Sequence, residues 1–137
     1  MKRIVLMIIP VLIYGIVFTS CSSKLESEEQ ELIEGKFSGE FTVKRFAGMP
    51  GYHWGSGNSW TATLVFNNGK YTITTGGSGN YSISNGKIIF EDENAWTSNF
   101  DSNLILNGIY EYTFDGKKLT ISQRFDFAHY VYDLKKE

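Results

Sequence analysis

The chain has 137 residues, of which 42% are hydrophobic, 15% aromatic and 20% charged. This length points to one domain, and the aromatic content excludes an ordinary disordered chain, because rings bury enough apolar surface to offset chain entropy. The formal net charge of −2 leaves no cationic excess to neutralise a nucleic-acid backbone, and a single cysteine excludes an intrachain disulfide.

Lys2 and Arg3 give the chain a positive start, and Ile4 to Phe18 carry no charge. Thr19, Ser20 and Cys21 follow. A basic start, an apolar run and small residues at a cleavage point make up a secretory signal. As a helix the run spans about 22 Å at roughly 1.5 Å per residue, short of the roughly 20 residues of a stable bilayer span. A cleaved signal is therefore the reading, and a retained anchor the alternative. Phe18-Thr19-Ser20-Cys21 resembles the lipobox of bacterial lipoproteins, with Phe where Leu is usual. That resemblance implies a lipidated Cys21 at the mature N-terminus and the membrane as a partner. Three acyl chains exceed the two signals that stable anchoring needs.

The chain then divides into residues 1–20 as signal, 21–34 as lipidated cysteine and acidic tether, and 35–137 as the folded domain. Residues 21–137 carry 11 basic and 15 acidic side chains. Ser27 and Gln30 have the spacing of a capping box, which predicts a short helix over 28–34 with Leu32 and Ile33 pressed on the domain. Glu26, Glu28 and Glu29 are loosely similar to the acidic surface-export run of Bacteroidetes lipoproteins; a solvated linker is the alternative.

From Gly35 the apolar period becomes two, the mark of strands with one buried face. Phe37, Phe41 and Val43 alternate with polar neighbours, as do Trp60, Ala62, Leu64 and Phe66, then Tyr71 and Ile73, then Tyr81 and Ile83. Leu104, Leu106, Tyr110, Tyr112 and Phe114 share one face of a longer run. Eight strands are predicted, at about 36–46, 58–67, 70–75, 79–84, 87–92, 103–114, 117–124 and 126–135. Asn68-Gly69, Asn85-Gly86 and Asp115-Gly116, each followed by Lys, read as tight hairpin turns. Every consecutive pair can form a hairpin. The predicted fold is therefore all-β, a single eight-stranded antiparallel up-and-down barrel whose closure removes the sheet edges, with a two-sheet sandwich as the rival.

In such a meander odd and even connections lie at opposite ends. The three tight turns fall at one end. The long connections, about 47–57 and 93–102, fall at the other with the Gly76–Gly79 turn and the bend near Arg124. Binding residues concentrate on loops held by a rigid scaffold, and small barrels bind at their mouths. Tyr52, Trp54, Trp60, Trp96 and Phe100 are the candidate ligand contacts, because Tyr and Trp pair apolar area with one polar handle. The alternative is that these rings turn inward and fill the barrel. The tether enters at the tight-turn end, so that end is expected to face the membrane.

With the lipobox, the segments Leu32-Ile33-Glu34-Gly35-Lys36-Phe37 and Tyr112-Thr113-Phe114-Asp115-Gly116-Lys117-Lys118-Leu119-Thr120-Ile121 resemble the small lipocalin-like, calycin-type lipoproteins of Bacteroidetes. Lipocalins open their first strand with Gly-x-Trp, the Trp packing beneath an Arg from near the last strands. Gly35 and Phe37 stand in that place, with Phe for Trp, and Arg124 is the expected counterpart. The resemblance implies a barrel, carriage of a small apolar molecule, and an address in the bacterial envelope, at the outer membrane.

Enzyme chemistry finds little material. His53, His129 and the one cysteine do not make a zinc set. Asp92-Glu93-Asn94 opens like a calcium loop, but Thr97 stands where its glycine belongs. His53 beside Ser56 or Ser59 lacks a nucleophile-elbow motif. Asp92 or Glu93 with Asp101 could form a glycosidase-like pair at the mouth, with solvated loop charge as the plainer account. The expectation is a non-catalytic envelope protein without a cofactor. It binds a small apolar or amphipathic ligand at the loop end; alternatively, it grips an envelope protein or a glycan with a filled barrel and no internal pocket.

Overall fold

The computed structural model describes residues 32–45 and 57–137. Cys21, Tyr52, Trp54, His53 and most of the predicted tether helix lie outside the described residues. Eight strands form, β1 (Gly35–Arg45), β2 (Gly57–Asn67), β3 (Lys70–Ile73), β4 (Ser78–Ser84), β5 (Lys87–Asp92), β6 (Gly108–Phe114), β7 (Lys118–Arg124) and β8 (Ala128–Lys136). They close in sequence order into one antiparallel up-and-down barrel, with β8 returning to β1 from Phe37↔Lys136 to Arg45↔Ala128. The predicted fold class is the observed one.

Two tight turns carry out the sequence signal. Asn68 and Gly69 have φ of 50° and 76°, and Asn85 and Gly86 have 52° and 71°. Positive φ at both central residues is the requirement of a type I′ hairpin. The third turn is built differently. Asp115 Oδ1 accepts from the backbone N–H of Lys117 (2.9 Å) and of Lys118 (2.6 Å), and only Gly116 takes a positive φ of 92°. The carboxylate caps a three-residue loop, so β7 starts at Lys118 instead of residue 117.

The largest departure from the pattern is before β6. The predicted strand over 103–114 is broken, and only Gly108–Phe114 joins the ladder. Ser102–Leu104 form a single 3-10 turn, because the Asp101 carboxylate accepts from Asn103 N–H and holds the turn's first donor. Gly108 then bends the chain at φ +103°. The dipeptide Asn107-Gly108 is a turn signal that the alternation of Leu104, Leu106 and Tyr110 masks. At the N-terminal side, residues 32–34, the only described part of the predicted 28–34 helix, form no helix. Ile33 is buried and Leu32 is exposed, so one of the two predicted contacts forms.

The interior is filled by rings. Phe37 meets Phe66 edge-on at 5.8 Å, and Phe66 lies 6.2 Å from Phe90. Phe90 continues to Tyr110 at 5.8 Å, Tyr110 to Tyr132 at 6.4 Å, and Tyr132 stacks on Phe41 at 4.2 Å. Tyr71 and Tyr81 join the same chain of contacts through Phe90 and Phe66. Each of these rings is buried, and among the described residues no polar or charged residue other than tyrosine lies in the core. An eight-stranded barrel is just wide enough for side chains to fill, and these rings fill this one together with aliphatic residues such as Leu64, Ile88, Leu119, Ile121 and Leu134.

Three tyrosine hydroxyls reach out of this core to the two ends. Tyr81 donates to Ile33 O at 2.6 Å, tying the incoming segment across the tight-turn end. Tyr71 donates to Leu106 O at 2.5 Å, and Tyr130 to Asn103 Oδ1 at 2.6 Å, tying the β5–β6 connection across the loop end. Leu106, fully buried, also donates its N–H to Gly76 O at 2.8 Å. The connection is therefore held from β3, from the β3–β4 turn and from β8 at once. Burial of the rings pushes the Tyr110 hydroxyl up to about 12 and raises those of Tyr71, Tyr81 and Tyr132 further, so all four stay neutral at ordinary pH.

The ring of β1 also finds a different cation from the expected one. Lys136 Nζ lies 5.8 Å from the Phe37 centroid. Arg124 pairs in register with His129, near the other end of β8 from Lys136. Seven residues at about 3.3 Å each separate the two positions along β8. Closure of the barrel through Phe37↔Lys136 puts a lysine from the last strand where Arg124 was expected.

Candidate functional site at the loop end

The predicted ligand contacts separate into two groups. Trp60 lies on the inner face of β2 and stacks on Phe41 at 5.5 Å and 26°, half-buried against the core. It belongs to the filling of the barrel. Trp96 and Phe100 are brought together on the β5–β6 connection, with centroids 4.2 Å apart. Phe100 also covers Gly76, where an added Cβ would meet the ring at 3.1 Å. The indole N–H of Trp96 donates to the Asp92 carboxylate. Asp92 also accepts from Ser78 N–H at 2.9 Å and Asn94 Nδ2 at 2.6 Å. Partial burial works to raise the Asp92 pKa, but the hydrogen bonds from Trp96, Ser78 and Asn94 outweigh it and hold the carboxyl below its ordinary range.

These contacts account for the loop carboxylates. Asp92 clasps the start of the connection. Glu93 accepts from Asn80 Nδ2 at 2.6 Å and pairs with Lys70 at 3.5 Å. Asp101 caps the 3-10 turn, accepting from Asn103 N–H at 3.0 Å and from its amide at 2.6 Å. The plainer account of Asp92, Glu93 and Asp101 as loop charge fits these contacts, since each carboxylate holds local backbone or side-chain groups. His129 sits on the outer face of β8, and no group of three or more metal-ligating side chains converges among the described residues.

A cleft of about 290 Å³ opens beside the β5–β6 connection. Ser102, Asn103, Ile105, Asn107, Tyr110, Gln123, Phe125 and Tyr130 line it. Its polar groups are neutral amides and hydroxyls, and its rings are Tyr110, Phe125 and Tyr130, the last two meeting edge-on at 5.5 Å. Phe125 and Phe127 stand on the short bend between β7 and β8, 40% and 46% exposed, with their rings stacked at 5.7 Å and 13°. Asn107 is fixed by accepting from Asp92 N–H at 3.0 Å, and Asn103 by Tyr130 and Asp101. The cleft is therefore lined by oriented amides with an aromatic wall. Its signals in the sequence were two exposed phenylalanines flanking Asp126 in a bend too short to bury them, and the Asn107-Gly108 turn.

A second hollow lies outside the barrel wall. The β6–β7 ladder runs from Phe114↔Leu119 to Glu111↔Ser122, and beyond that pair the two strands are not laddered. The fork leaves an outer groove of about 700 Å³ lined by Lys87, Ile109, Tyr110, Glu111, Ser122, Gln123, Arg124 and His129. Tyr110 and Gln123 line both hollows. No known family model, curated protein or solved structure matches the chain.

Proposed function

We propose that the protein is a non-catalytic binding module of the bacterial envelope, anchored through lipidated Cys21, that takes an amphipathic, carbohydrate-like ligand in the cleft at its loop end. The observation that carries this reading is the neutral amide-and-aromatic lining of that cleft beside a barrel whose interior is occupied by its own rings. A sugar offers hydroxyls to amide groups and a C–H face to an aromatic ring, which is what Asn103, Asn107, Gln123 and Phe125 present. Carriage of an apolar molecule inside the barrel, which the lipocalin-like resemblance implied, has less support. The rings occupy that space, and the β5–β6 connection crosses the mouth. Closure of eight strands in sequence order supports the lipocalin-like architecture itself. The membrane-facing end remains the tight-turn end, where the chain enters β1 beside Lys136.

The test is a glycan-array and calorimetric comparison of the full chain with Phe125→Ala and Asn107→Ala, with thermal melts to show that the variants fold. An aromatic contact contributes about 0.5–1.5 kcal/mol, so Phe125→Ala should weaken glycan binding roughly 2- to 12-fold. Unchanged affinity in both variants, or no glycan bound by the parent protein, would overturn the reading.

A further inference from the structure

The hydrogen bonds around the cleft decide which way its amides are turned. Asp92 N–H donates to Asn107 Oδ1 at 3.0 Å, so the oxygen of that amide is turned to the backbone and both of its N–H donors are left for a ligand. Asn103 accepts from the Tyr130 hydroxyl and gives one N–H to Asp101, each at 2.6 Å, which leaves it a second N–H. The Gln123 side-chain amide is hydrogen-bonded to no other described group, and its Nε2 lies 3.8 Å from the place a Cβ would take on Gly108, the neighbour of Asn107. Ile105 and Phe125 give the same hollow apolar surface, and none of the described residues that line it is charged. The amides held in place therefore present N–H donors, with one complete amide beside them and apolar surface in the same hollow.

Resting on the reading of the cleft as a carbohydrate site, we propose that its ligand is a neutral sugar bearing an acetamido group, an N-acetylated amino sugar. An acetamido group brings a carbonyl acceptor, an N–H donor and a methyl. The carbonyl takes an N–H of Asn107, the ligand N–H goes to the Gln123 oxygen, and the methyl rests on Ile105 while the sugar ring lies against Phe125. A hydroxyl in the same place can meet one of the two amides but leaves the Ile105 surface to water. An acidic sugar fits this lining less well, because an anion brought into it loses water without gaining a counter-charge. A hollow of about 290 Å³ is at the lower end of ligand pockets, so it takes one sugar unit with its substituent and not a longer chain.

The experiment follows the side-chain amides of Asn107 and Gln123 by NMR, using the full chain in zwitterionic micelles, with saturation transfer to the acetyl methyl as a second readout. The probes are N-acetylglucosamine, N-acetylgalactosamine and N-acetylmannosamine, each beside its parent glucose, galactose or mannose. N-acetylethanolamine, which carries the acetamide without a sugar ring, is offered as well. The expected result is saturable movement of both amides by at least one acetamido sugar, with the strongest saturation transfer at its methyl. One added hydrogen bond and one buried methyl should make its binding roughly 10-fold tighter than that of the parent sugar. Asn107→Asp keeps the acceptor for Asp92 N–H and loses the donors, and Gln123→Leu removes the complete amide. Each should cut the ratio to about 2-fold or less, and thermal melts show which variant folds; if only Gln123→Leu does, it carries the test. Acetamido sugars bound no tighter than their parents overturn this inference and leave the cleft reading standing. An undiminished ratio in a folded variant also overturns it. N-acetylethanolamine bound as tightly as the acetamido sugar means a site for acetylated chains such as acetyl-lysine, and overturns it too. If no sugar of either kind moves the amides, the cleft reading and this inference both fall.

Discussion

Tyr71→Phe removes one oxygen from the latch that closes the loop end. Tyr71 is 2% exposed, and its hydroxyl donates to Leu106 O at 2.5 Å. Leu106 is fully buried, so its carbonyl has no ready replacement from solvent. A buried polar group left without its partner costs about 1–3 kcal/mol. For a domain of this size that corresponds to a fall in melting temperature of roughly 4–12 °C. Tyr130→Phe is the control, because its acceptor is the side chain of Asn103, at a half-exposed position that water reaches; the expected cost is under about 1 kcal/mol. Hydrogen exchange reads the local consequence. Leu106 N–H, bonded to Gly76 O at 2.8 Å, should exchange about tenfold faster or more in Tyr71→Phe. Equal melting temperatures for the two variants, with unchanged exchange at Leu106, would refute the account of how the mouth is closed.

Gly39→Ala should prevent or severely weaken barrel closure, since its Cβ would lie 2.0 Å from Asp133 O on β8; a soluble variant with native-like circular dichroism and melting temperature would contradict this. Gly77→Ala should loosen the same mouth, because it combines a φ of +124° with a Cβ 3.2 Å from both Leu106 O and Tyr71 Oη, and faster exchange at Leu106 would report it. The His129 pKa is lowered on folding, so the unfolded chain binds the extra proton first. Its contribution is therefore present above about pH 6.5 and lost as pH falls toward the folded pKa, and His129→Gln should flatten stability across that acid window. The phenols behave in the opposite sense. Tyr71, Tyr81, Tyr110 and Tyr132 have raised values, so stability should be lost as pH climbs past about 10, with their absorbance change arriving together with unfolding and not before it.

The sequence was most legible where physical signals were local and redundant. Period-two alternation placed the strands to within a few residues, and Asn-Gly pairs at 68–69 and 85–86 set register because only a type I′ turn suits them. Legibility failed where a side chain competed with the pattern. Asp101 and Gly108 broke a run whose alternation argued for continuous strand, and Asp115 built a capped loop where Asp-Gly suggested a two-residue turn. The candidate site was only partly legible. Trp96 and Phe100 could be placed at the loop end, whereas the alternation of Trp60 with Ala62, Leu64 and Phe66 already argued for the inner face on which it stacks against Phe41, and its place among the ligand contacts set that signal aside. Pairing of Phe37 with Lys136 and not Arg124 depends on barrel closure, which no local window contains.

The central claim is that the interior is occupied and that binding takes place outside it. Its most direct test is the methyl spectrum of Leu64, Ile88 and Ile121, three fully buried core residues, during titration of the full chain with a long-chain fatty acid. The account predicts no saturable shift at any of the three. Saturable shifts reaching one equivalent at these methyls would show that the barrel opens to an apolar cargo, and would contradict it.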